Sequence, residues 1–313
     1  MIPINAYNLL KFEVPRGDNS LIICYLRCDG TAEPRKKPII LLLQGSGANS
    51  FFSEKDGKYY TPLLFSALEH LIKDWHVIGI EKRGVQLGDF KDFHGYERAS
   101  QEYIEHATLF GRVDDINRVI DYFQSADTLY DGNELVVIGH SEGSHVAAGV
   151  AATNRNVTHL VLLGFSAAHG LFDAFISLRR QLKSGKISGQ EFIEKYNWFT
   201  SKYRDIRTNP QSLQEFYGHT YKRWASYCFD VSLQNLAAIT LPIFLGIGSL
   251  DENAIGSDYF IADLVKRGKD NLTYKNYLDC DHGFFRHSGD KPESIHSEVV
   301  DDIMKWVKST SKR

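Results

Sequence analysis

The sequence of 313 residues has no large excess of charge of either sign, and this balance excludes one class of partner. It holds 36 Lys and Arg residues against 39 Asp and Glu residues, which gives a formal net charge of −3. Proteins that bind nucleic acids usually carry a clustered basic excess that contacts the phosphates. The basic C-terminal stretch KWVKSTSKR is short, and we interpret it as a solvated chain end. We therefore expect no nucleic-acid partner.

Long apolar segments are also missing. No stretch approaches the roughly 18 apolar residues that a membrane-spanning helix needs. The N-terminal stretch MIPINAYNLLKFEVPRGD lacks a basic segment followed by an apolar one, so it does not have the pattern of a signal peptide. The sequence therefore predicts a cytoplasmic protein with no membrane partner, and it leaves the oligomeric state open.

Cysteine is scarce, since only Cys24, Cys28, Cys228 and Cys280 occur. Folds that depend on disulfides are usually shorter and much richer in cysteine. Cys24 and Cys28 lack the second pair of ligands that a structural zinc site needs. We therefore expect reduced thiols and no metal, and no motif in the sequence requires another cofactor.

Short apolar runs bounded by turn residues recur along the chain, with helical patterns between them. The predicted strands are 8–14, 20–28, 39–44, 76–81, 134–139, 158–165, 242–248 and 272–278. The first two indicate a hairpin at the sheet edge, and the apolar middle ones are typical of parallel strands buried on both faces. The predicted helical stretches are LLFSALEHLIK, RVDDINRVIDYF, SHVAAGVAA, SDYFIADLVKRG and SEVVDDIMKWVKS. This alternation predicts an α/β fold with a mostly parallel, doubly wound sheet of about eight strands and helices on both faces.

One region breaks this alternation, because residues 169 to about 236 contain no convincing strand. We expect several helices there, either as a packing layer or as a lid, and an insertion at the carboxyl end of a strand favours the lid. The predicted division is a core in two parts, 1–168 and 237–313, with a helical lid at 169–236. Its aromatic residues form the lid's own core or contact a hydrophobic substrate group: Phe172, Phe175, Phe192, Tyr196, Trp198, Phe199, Tyr217, Tyr221 and Trp224.

The segment VVIGHSEGSHVAAGVAA, residues 136–152, joins an apolar strand to an alanine-rich helix with almost no loop. Gly-x-Ser-x-Gly at such a junction places the serine on a tight, strained turn above the carboxyl edge of the sheet. Gly139 and Gly143 lack Cβ atoms, which lets the strand and the helix approach closely. We therefore predict that Ser141 is a nucleophile, and a structural serine in a glycine turn is the alternative.

Serine is a weak nucleophile without a base, and in such folds the order along the chain is serine, acid, histidine. Asp251 lies in the first turn after the strand 242–248, and Glu252 is the alternative acid. His282 lies in the loop between the last strand and the final helix, with His287 as its nearest rival. We predict a Ser141–His282–Asp251 triad.

Two further groups of polar residues lie near these positions. His140 and His145 flank Ser141 but cannot easily turn back to it, so we interpret them as packing residues or as residues that support the catalytic side chains. Asp279-x-Asp281-His282 could be part of a metal cluster, but no other ligand motif supports one. Glu191 and Glu194 could bind a substrate amine, although a solvated helix face explains them better.

Acyl transfer also needs donors for the oxyanion. The first should be the backbone N–H of Glu142, at the N-terminus of the helix behind the nucleophile. The second should come from the glycine-containing loop after the strand 39–44, where we predict the N–H of Ser46. This loop matches neither a dinucleotide-binding fingerprint nor a P-loop.

Over essentially its whole length the chain resembles the α/β-hydrolase fold superfamily. GHSEG resembles its nucleophile elbow, LLLQGSGANS its oxyanion loop, GSLDENA its acid loop and DHGF its histidine loop. IEKRGVQLGD is similar to the D-x-R-G-x-G loop. In this sequence Gln44 stands where many members have histidine, Glu81 replaces the aspartate, and Leu87 breaks the end of the pattern. The resemblance implies a lid after the sixth strand, where 169–236 falls.

These residues predict a serine hydrolase that cleaves a small-molecule carboxylic ester through an acyl-enzyme. A thioesterase or an aminopeptidase of the same fold is the alternative. A hypothesis of another class is a non-catalytic binding protein, since the superfamily includes receptors that keep the pocket and lose catalysis.

Overall fold

The structure is a computed structural model, and it describes residues 9–27, 35–56, 58–89, 99–125, 129–167, 170–229 and 236–311. The strands of the main sheet are β1 (Leu9–Pro15), β2 (Leu21–Arg27), β3 (Lys37–Leu43), β4 (His76–Ile80), β5 (Tyr130–His140), β6 (His159–Leu163), β7 (Ile243–Gly248) and β8 (Leu272–Tyr277). Each corresponds to one predicted strand, and the largest shift of an end is at β5, predicted from 134 and observed from 130. The first eight residues and Cys28 lie outside the described residues.

The strands lie side by side in the order β1-β2-β4-β3-β5-β6-β7-β8. β1 pairs antiparallel with β2, and β2 pairs antiparallel with β4. All the other neighbours are parallel. The prediction of a mostly parallel sheet of about eight strands is confirmed. Because β3 to β8 run in one direction, their carboxyl ends meet at a single edge, and every predicted site residue follows one of these ends.

Helices cover both faces of the sheet. They are α1 (Gln101–His106), α2 (Leu109–Ser125), α3 (Glu142–Thr153), α4 (Gly170–Lys183), α5 (Gly189–Thr208), α6 (Tyr221–Cys228), α7 (Ala254–Lys266) and α8 (His296–Thr310). Alternating side chains of each strand point to opposite faces, so one strand contributes to two cores. On one face Leu41 and Val137 pack beneath α2, α3 and α7. On the other face Leu42 and Val136 pack against α8.

The stretch LLFSALEHLIK does not form the predicted α-helix. It contains only a short 3₁₀ turn at Ala67–Leu71. Leu64 has a φ of +69°, in the left-handed region that a right-handed helix cannot pass through. Its apolar side chains are buried all the same, and Phe65 and Leu68 belong to the core beside α8.

The segment between β6 and β7 contains α4, α5 and α6 and has a hydrophobic core of its own. That core contains Leu178, Ile187, Phe199, Ile206, Phe216, Tyr221 and Ala225. The paired two-residue strands Glu215–Phe216 and His219–Thr220, which the sequence did not predict, close the segment before α6. Most of its aromatic residues pack against one another, and even Tyr217, which is 66% exposed, has its ring centroid 5.5 Å from that of Phe199. Residues 169 and 230–235 of the predicted lid lie outside the described residues.

Short hairpins and buried thiols complete the description. Ser53–Lys55 pairs with Lys58–Tyr60, and Phe285–Arg286 pairs with Glu293–Ser294. The described cysteines Cys24, Cys228 and Cys280 are buried and are not joined by a disulfide. In the described ranges, none of the helices combines the length and the apolar character needed to cross a membrane.

Candidate active site

Ser141 lies between β5 and α3 in a backbone conformation that residues other than glycine rarely adopt. Its φ is +55° and its ψ is −123°, and such strain persists only where the surrounding structure enforces it. Two close approaches enforce it here. A Cβ atom on Gly139 would lie 2.2 Å from the carbonyl oxygen of Gly143, and one on Gly143 would lie 2.2 Å from that of Leu43. Only glycine fits at these two positions, and this explains their place in the motif.

His282 and Asp251 contact each other at the same edge of the sheet. His282 Nδ1 lies 2.8 Å from Asp251 Oδ2. Asp251 is 4% exposed, whereas the side chain of Glu252 is 76% exposed and lies 3.6 Å from Arg180. An ionised carboxylate can only accept, so His282 Nδ1 carries the proton and Nε2 keeps a lone pair. The structure thus brings Asp251, and not Glu252, to a histidine whose other nitrogen can act as a base.

A hydrogen bond from His140 holds the backbone of His282 in place. His140 Nε2 lies 2.9 Å from the carbonyl oxygen of His282, and the two ring centroids are 4.7 Å apart. Burial and, to a smaller extent, the nearby His282 lower the pKa of His140 to about 4. The ring of His140 is therefore neutral near pH 7, and Nε2 donates its proton to this carbonyl. His140 thus connects the elbow to the histidine loop, which corresponds to the supporting role that the sequence left open besides packing.

Ser141 and His282 converge on the end of β6. The N–H of Ser141 donates to the carbonyl of Leu163 at 2.9 Å. The imidazole of His282 packs on the next residue, since a Cβ atom on Gly164 would lie 2.8 Å from His282 Cε1. Within the described part of the chain, no hydrogen bond joins Ser141 Oγ to the His282 ring. Nucleophile–base hydrogen bonds are often long without substrate and tighten when it binds.

Asp281 shapes the histidine loop and accounts for His287. Its carboxylate accepts from the N–H of Gly283 at 2.9 Å and of Phe285 at 3.0 Å. His287 Nε2 lies 2.8 Å from the other oxygen, so His287 is placed on Asp281 and not on the acid Asp251. Across the described ranges, no group of three His, Cys, Asp or Glu side chains is arranged to hold a metal ion.

The loop that follows β3 lies against Ser141. A Cβ atom on Gly45 would lie 3.2 Å from Ser141 Cβ, and Ser46 is the exposed residue after it. Buried cations hold the carbonyl groups of this loop. Lys82 Nζ donates to the carbonyls of Gly45 and Gly47, each at 2.6 Å, and Arg112 Nη2 donates to that of Gln44 at 2.9 Å.

Glu142, the residue after the nucleophile, is the centre of a buried ionic cluster. Its carboxylate accepts from Arg112 Nη1 at 2.6 Å and from the hydroxyl of Tyr227 at 3.1 Å, and it pairs with Arg223. Arg223 and Tyr227 lie on α6, so the cluster fastens the inserted helices to the elbow. Removing one member of such a buried group leaves an uncompensated charge and destabilises a fold strongly.

Glu81 occupies the position of the aspartate in the D-x-R-G-x-G loop that this part of the sequence resembles. It is 3% exposed, and its carboxylate accepts from Ser50 Oγ at 2.5 Å and from the N–H of Phe51 at 2.9 Å. Burial raises its pKa to about 7 despite these hydrogen bonds. The longer side chain still reaches the backbone after β3, so Glu81 fixes the far end of the loop whose near end touches Ser141.

Asp173 of α4 is the carboxylate that the inserted helices bring to the site. Burial and, to a smaller extent, the negative charges of Asp251 and Glu252 raise its pKa to about 6. Ser166 Oγ donates to it at 3.1 Å. Glu191, which the sequence indicated as one possible amine-binding residue, instead accepts from the N–H of Ser188 at 2.8 Å and caps its own helix α5.

Sequence reasoning missed Lys82, Arg112, Arg223 and Asp173. For Arg112 a signal was present. Arg112, Asp115, Ile116 and Val119 are spaced at i, i+3, i+4 and i+7, and all four are buried. Charged residues within such an apolar stripe indicate a buried ionic contact. Asp115 makes its contact with Arg16, at 2.8 Å.

A cleft of about 250 Å³ opens beside the elbow. The oxyanion loop and residues 60–63, which precede the 3₁₀ turn, form its two walls. Its lining includes Gly45, Ser46, Tyr60, Leu63 and His140. Through Gly45 and His140 the cleft adjoins the position of Ser141.

No protein-family model matches this sequence, and a search of curated proteins finds no match. Solved structures do match it. The Pyrococcus horikoshii acylaminoacyl peptidase aligns with a TM-score of 0.63 at 13% identity, over 99% of this chain and 43% of the peptidase. Est1E from Butyrivibrio proteoclasticus aligns with a TM-score of 0.55 at 18% identity, over 96% of this chain and 97% of Est1E. Acetyl xylan esterase from Paenibacillus sp. R4 aligns with a TM-score of 0.57 at 16% identity, over 98% and 85%.

This chain spans less than half the length of the peptidase and most of the length of the two esterases. Identities this low carry information about the fold alone. The alignments extend over nearly the whole of this chain, and they therefore include its eight-stranded sheet and the helices that cover it. The chain has the α/β-hydrolase fold.

Proposed function

We propose that this protein is a serine hydrolase that cleaves carboxylic esters of a small molecule through a covalent acyl-enzyme. The observation that carries the proposal is the 2.8 Å contact between His282 Nδ1 and buried Asp251. It occurs at the edge of the sheet where strained Ser141 stands. A histidine oriented by a carboxylate beside a serine on an elbow is the arrangement that activates serine for acyl transfer.

In the proposed reaction Ser141 Oγ attacks the ester carbonyl carbon while His282 Nε2 takes its proton. The tetrahedral intermediate collapses, and the same proton passes to the leaving alcohol. Water then attacks the acyl-enzyme, gives a proton to His282 Nε2, and releases the carboxylic acid and Ser141. Asp251 holds the ring orientation and stabilises the imidazolium in both halves.

The proposed donors to the oxyanion are the N–H groups of Glu142 and Ser46. Glu142 is the first residue of α3, so its N–H has no acceptor within the helix. Among the described residues, the N–H of Ser46 also donates to no protein acceptor. Each such donor contributes about 3 kcal/mol to transition-state stabilisation.

The cleft beside Ser141 favours a small substrate. Its volume of about 250 Å³ is below the range of about 300–1,000 Å³ that is usual for drug-sized ligands. We therefore propose short acyl esters as the preferred class, with thioesters of short acids as the nearest variant. The mechanism requires no cofactor.

We also propose that α4, α5 and α6 form a lid over this site. Asp173 on α4 favours a second candidate function, an aminopeptidase-like hydrolase. A buried carboxylate near the triad would suit a substrate ammonium group, and the charge of that group would repay its desolvation. The peptidases of similar fold make this candidate worth testing, although their activities are their own.

The test uses a fluorophosphonate probe, which labels activated serines covalently. We expect the wild-type protein to be labelled and to hydrolyse p-nitrophenyl acetate. Ser141→Ala should lose labelling and at least 1,000-fold in kcat, with an unchanged melting temperature. Ser125→Ala, at the surface end of α2, is the matched control and should behave as wild type.

A folded wild-type protein that neither reacts with the probe nor hydrolyses any ester would contradict the proposal and favour the binding-protein hypothesis. A panel of p-nitrophenyl esters of increasing chain length, an acyl-CoA and aminoacyl anilides distinguishes the substrate classes. Asp173→Asn separates the second candidate, because it should reduce turnover of aminoacyl anilides selectively if Asp173 binds the amine.

A further inference from the structure

Lys82 is buried directly beneath the oxyanion loop. It is 6% exposed, and its Nζ donates to the carbonyls of Gly45 and Gly47, each at 2.6 Å. Burial, with the nearby guanidinium groups of Arg112 and Arg223, lowers the pKa of Lys82 well below its ordinary value. The triad mechanism assigns no role to this side chain, although a buried amine is costly for a fold unless it is hydrogen-bonded.

Because a peptide bond is planar, the direction of each bonded carbonyl also fixes the direction of the N–H in the same peptide. In a trans peptide the carbonyl of one residue and the N–H of the next point in opposite directions. With the carbonyl of Gly45 directed at Lys82, the N–H of Ser46 points away from Lys82. The same argument applies to the carbonyl of Gly47 and the N–H of Ala48.

Without an anchor the loop would have more than one accessible arrangement. Gly47 has a φ of +92°, and glycines tolerate the backbone rotations that a peptide flip requires. A flip of the peptide between Gly45 and Ser46 would turn its carbonyl toward Ser141 and its N–H away. That orientation would place a negative dipole where the oxyanion develops.

We propose that Lys82 is a positioning residue that keeps the N–H of Ser46 directed at the oxyanion by holding the carbonyls of Gly45 and Gly47 on the opposite side of the loop. This role rests on the proposed serine hydrolase function. Lys82 touches neither substrate nor reacting atoms, and it acts through the orientation of one peptide.

Arg112 extends the same arrangement to the other donor. One guanidinium donates to the carbonyl of Gln44 through Nη2 and to the carboxylate of Glu142 through Nη1. Arg112 therefore connects the start of the oxyanion loop to Glu142, the residue whose N–H is the other proposed donor. The two donors come from distant parts of the sequence, and buried cations fix their relative position.

The test replaces Lys82 with methionine, which keeps an unbranched side chain one atom shorter and removes the donor. The matched control is Lys37→Met. Lys37 is also 6% exposed, and its Nζ donates to the carbonyl of Ile72 at 2.7 Å, but it lies at the start of β3, at the opposite edge of the sheet. Both variants remove a buried lysine that donates to backbone carbonyl groups. Only in Lys82→Met do these carbonyl groups belong to the oxyanion loop.

We expect Lys82→Met to lower kcat for p-nitrophenyl acetate about 100-fold, the usual effect of losing one oxyanion donor, with KM within about threefold of wild type. Affinity for a trifluoromethyl ketone should fall in parallel, because its adduct with Ser141 places an oxyanion in the hole. Lys37→Met should lower the melting temperature and leave kcat and inhibitor affinity unchanged.

A double-variant cycle separates positioning from general destabilisation. Ser46→Pro deletes the N–H itself. If Lys82 acts through that N–H, combining Ser46→Pro with Lys82→Met should cost no more kcat than Ser46→Pro alone. Additive losses in the double variant would overturn the proposal.

Lys82→Gln is the second variant if Lys82→Met does not fold. Its amide keeps one donor on a shorter side chain, and we expect about a tenfold loss of kcat. A kcat within threefold of wild type in either folded variant, with wild-type inhibitor affinity, would overturn the positioning role and leave the serine hydrolase intact. A wild-type protein without Ser141-dependent turnover would overturn both.

Discussion

The two edges of the central sheet are built from the same strands, but their polar residues are arranged differently. At the carboxyl edge, Ser141, Asp251 and His282 come from three separate loops and converge. At the amino edge, buried polar residues such as His76 and His159 make separate contacts that do not converge on one point. His76 Nε2 contacts the carbonyl of Arg35 at 2.8 Å, and His159 Nδ1 contacts the hydroxyl of the adjacent Thr158 at 2.9 Å.

The comparison shows that cavity size alone does not locate a site in this molecule. The amino edge has a cavity of about 570 Å³ lined by His159, Leu241 and Thr310, larger than the cleft of about 250 Å³ beside the elbow. At the carboxyl edge, however, a strained serine, an oriented histidine and unpaired helix N–H groups occur together. The connections after parallel strands open there, and helix N-termini face the same space.

Apart from Ser141→Ala, the largest loss of activity is expected from a substitution in the loop that carries Asp251. Asp251→Asn removes the charge that orients His282 and stabilises its imidazolium, so we expect kcat for p-nitrophenyl acetate to fall about 10⁴-fold. Glu252→Gln, the neighbouring and exposed carboxylate, should change kcat less than twofold. Equal losses in the two variants would remove the distinction between Asp251 and Glu252 that the geometry makes.

A pair of histidine variants tests the two edges directly. His140→Phe keeps a ring but deletes the hydrogen bond to the carbonyl of His282, and we expect kcat to fall about 10–100-fold, because small misplacements of catalytic groups are costly. His159→Phe, at the amino edge, keeps the ring that packs 5.3 Å from that of Trp306 and should leave kcat unchanged. A loss of activity in His159→Phe would show that the amino edge also influences the site.

The smallest predicted effect concerns stability and comes from Asp173. Burial raises its pKa from 3.8 to about 6, so the folded state disfavours the charged form. Wild-type stability from this group is therefore lost as pH rises from about 4 to about 6. Asp173→Asn avoids that loss and should gain about 2 kcal/mol in unfolding free energy above pH 6 relative to wild type, and almost nothing near pH 4.

Urea denaturation at several pH values measures this difference. Asp205→Asn is the control within the same inserted helices, because the Asp205 side chain is 48% exposed and should give a far smaller change. A stability difference for Asp173→Asn that does not grow between pH 4 and pH 6 would contradict the assigned effect of burial.

The stretch that contains the 3₁₀ turn at Ala67–Leu71 and the inserted helices show where sequence patterns stop being informative. The apolar spacing of LLFSALEHLIK predicts an α-helix, yet Leu64 adopts a φ of +69° and buries its side chain in the core beside α8. In that segment tertiary burial outweighs local helix propensity. In the inserted helices the sequence left two roles open for the aromatic residues, a core of their own or contact with a substrate. Phe199 packs against Phe216, with 6.2 Å between the ring centroids, so these residues belong to a separate core.

The sequence by itself determined which features follow one another along the chain. These are the apolar strands, the glycine-flanked serine, and an acid and a histidine in the loops after two later strands. Local pattern suffices there, because buried strands must be apolar and a strained turn admits only certain residues. Only the tertiary structure decided which carboxylate meets His282, and that Lys82, Arg112 and Glu142 join beneath the oxyanion loop. Those contacts link residues distant in sequence, and their strength depends on burial, which exists only once the sheet and its helices have packed.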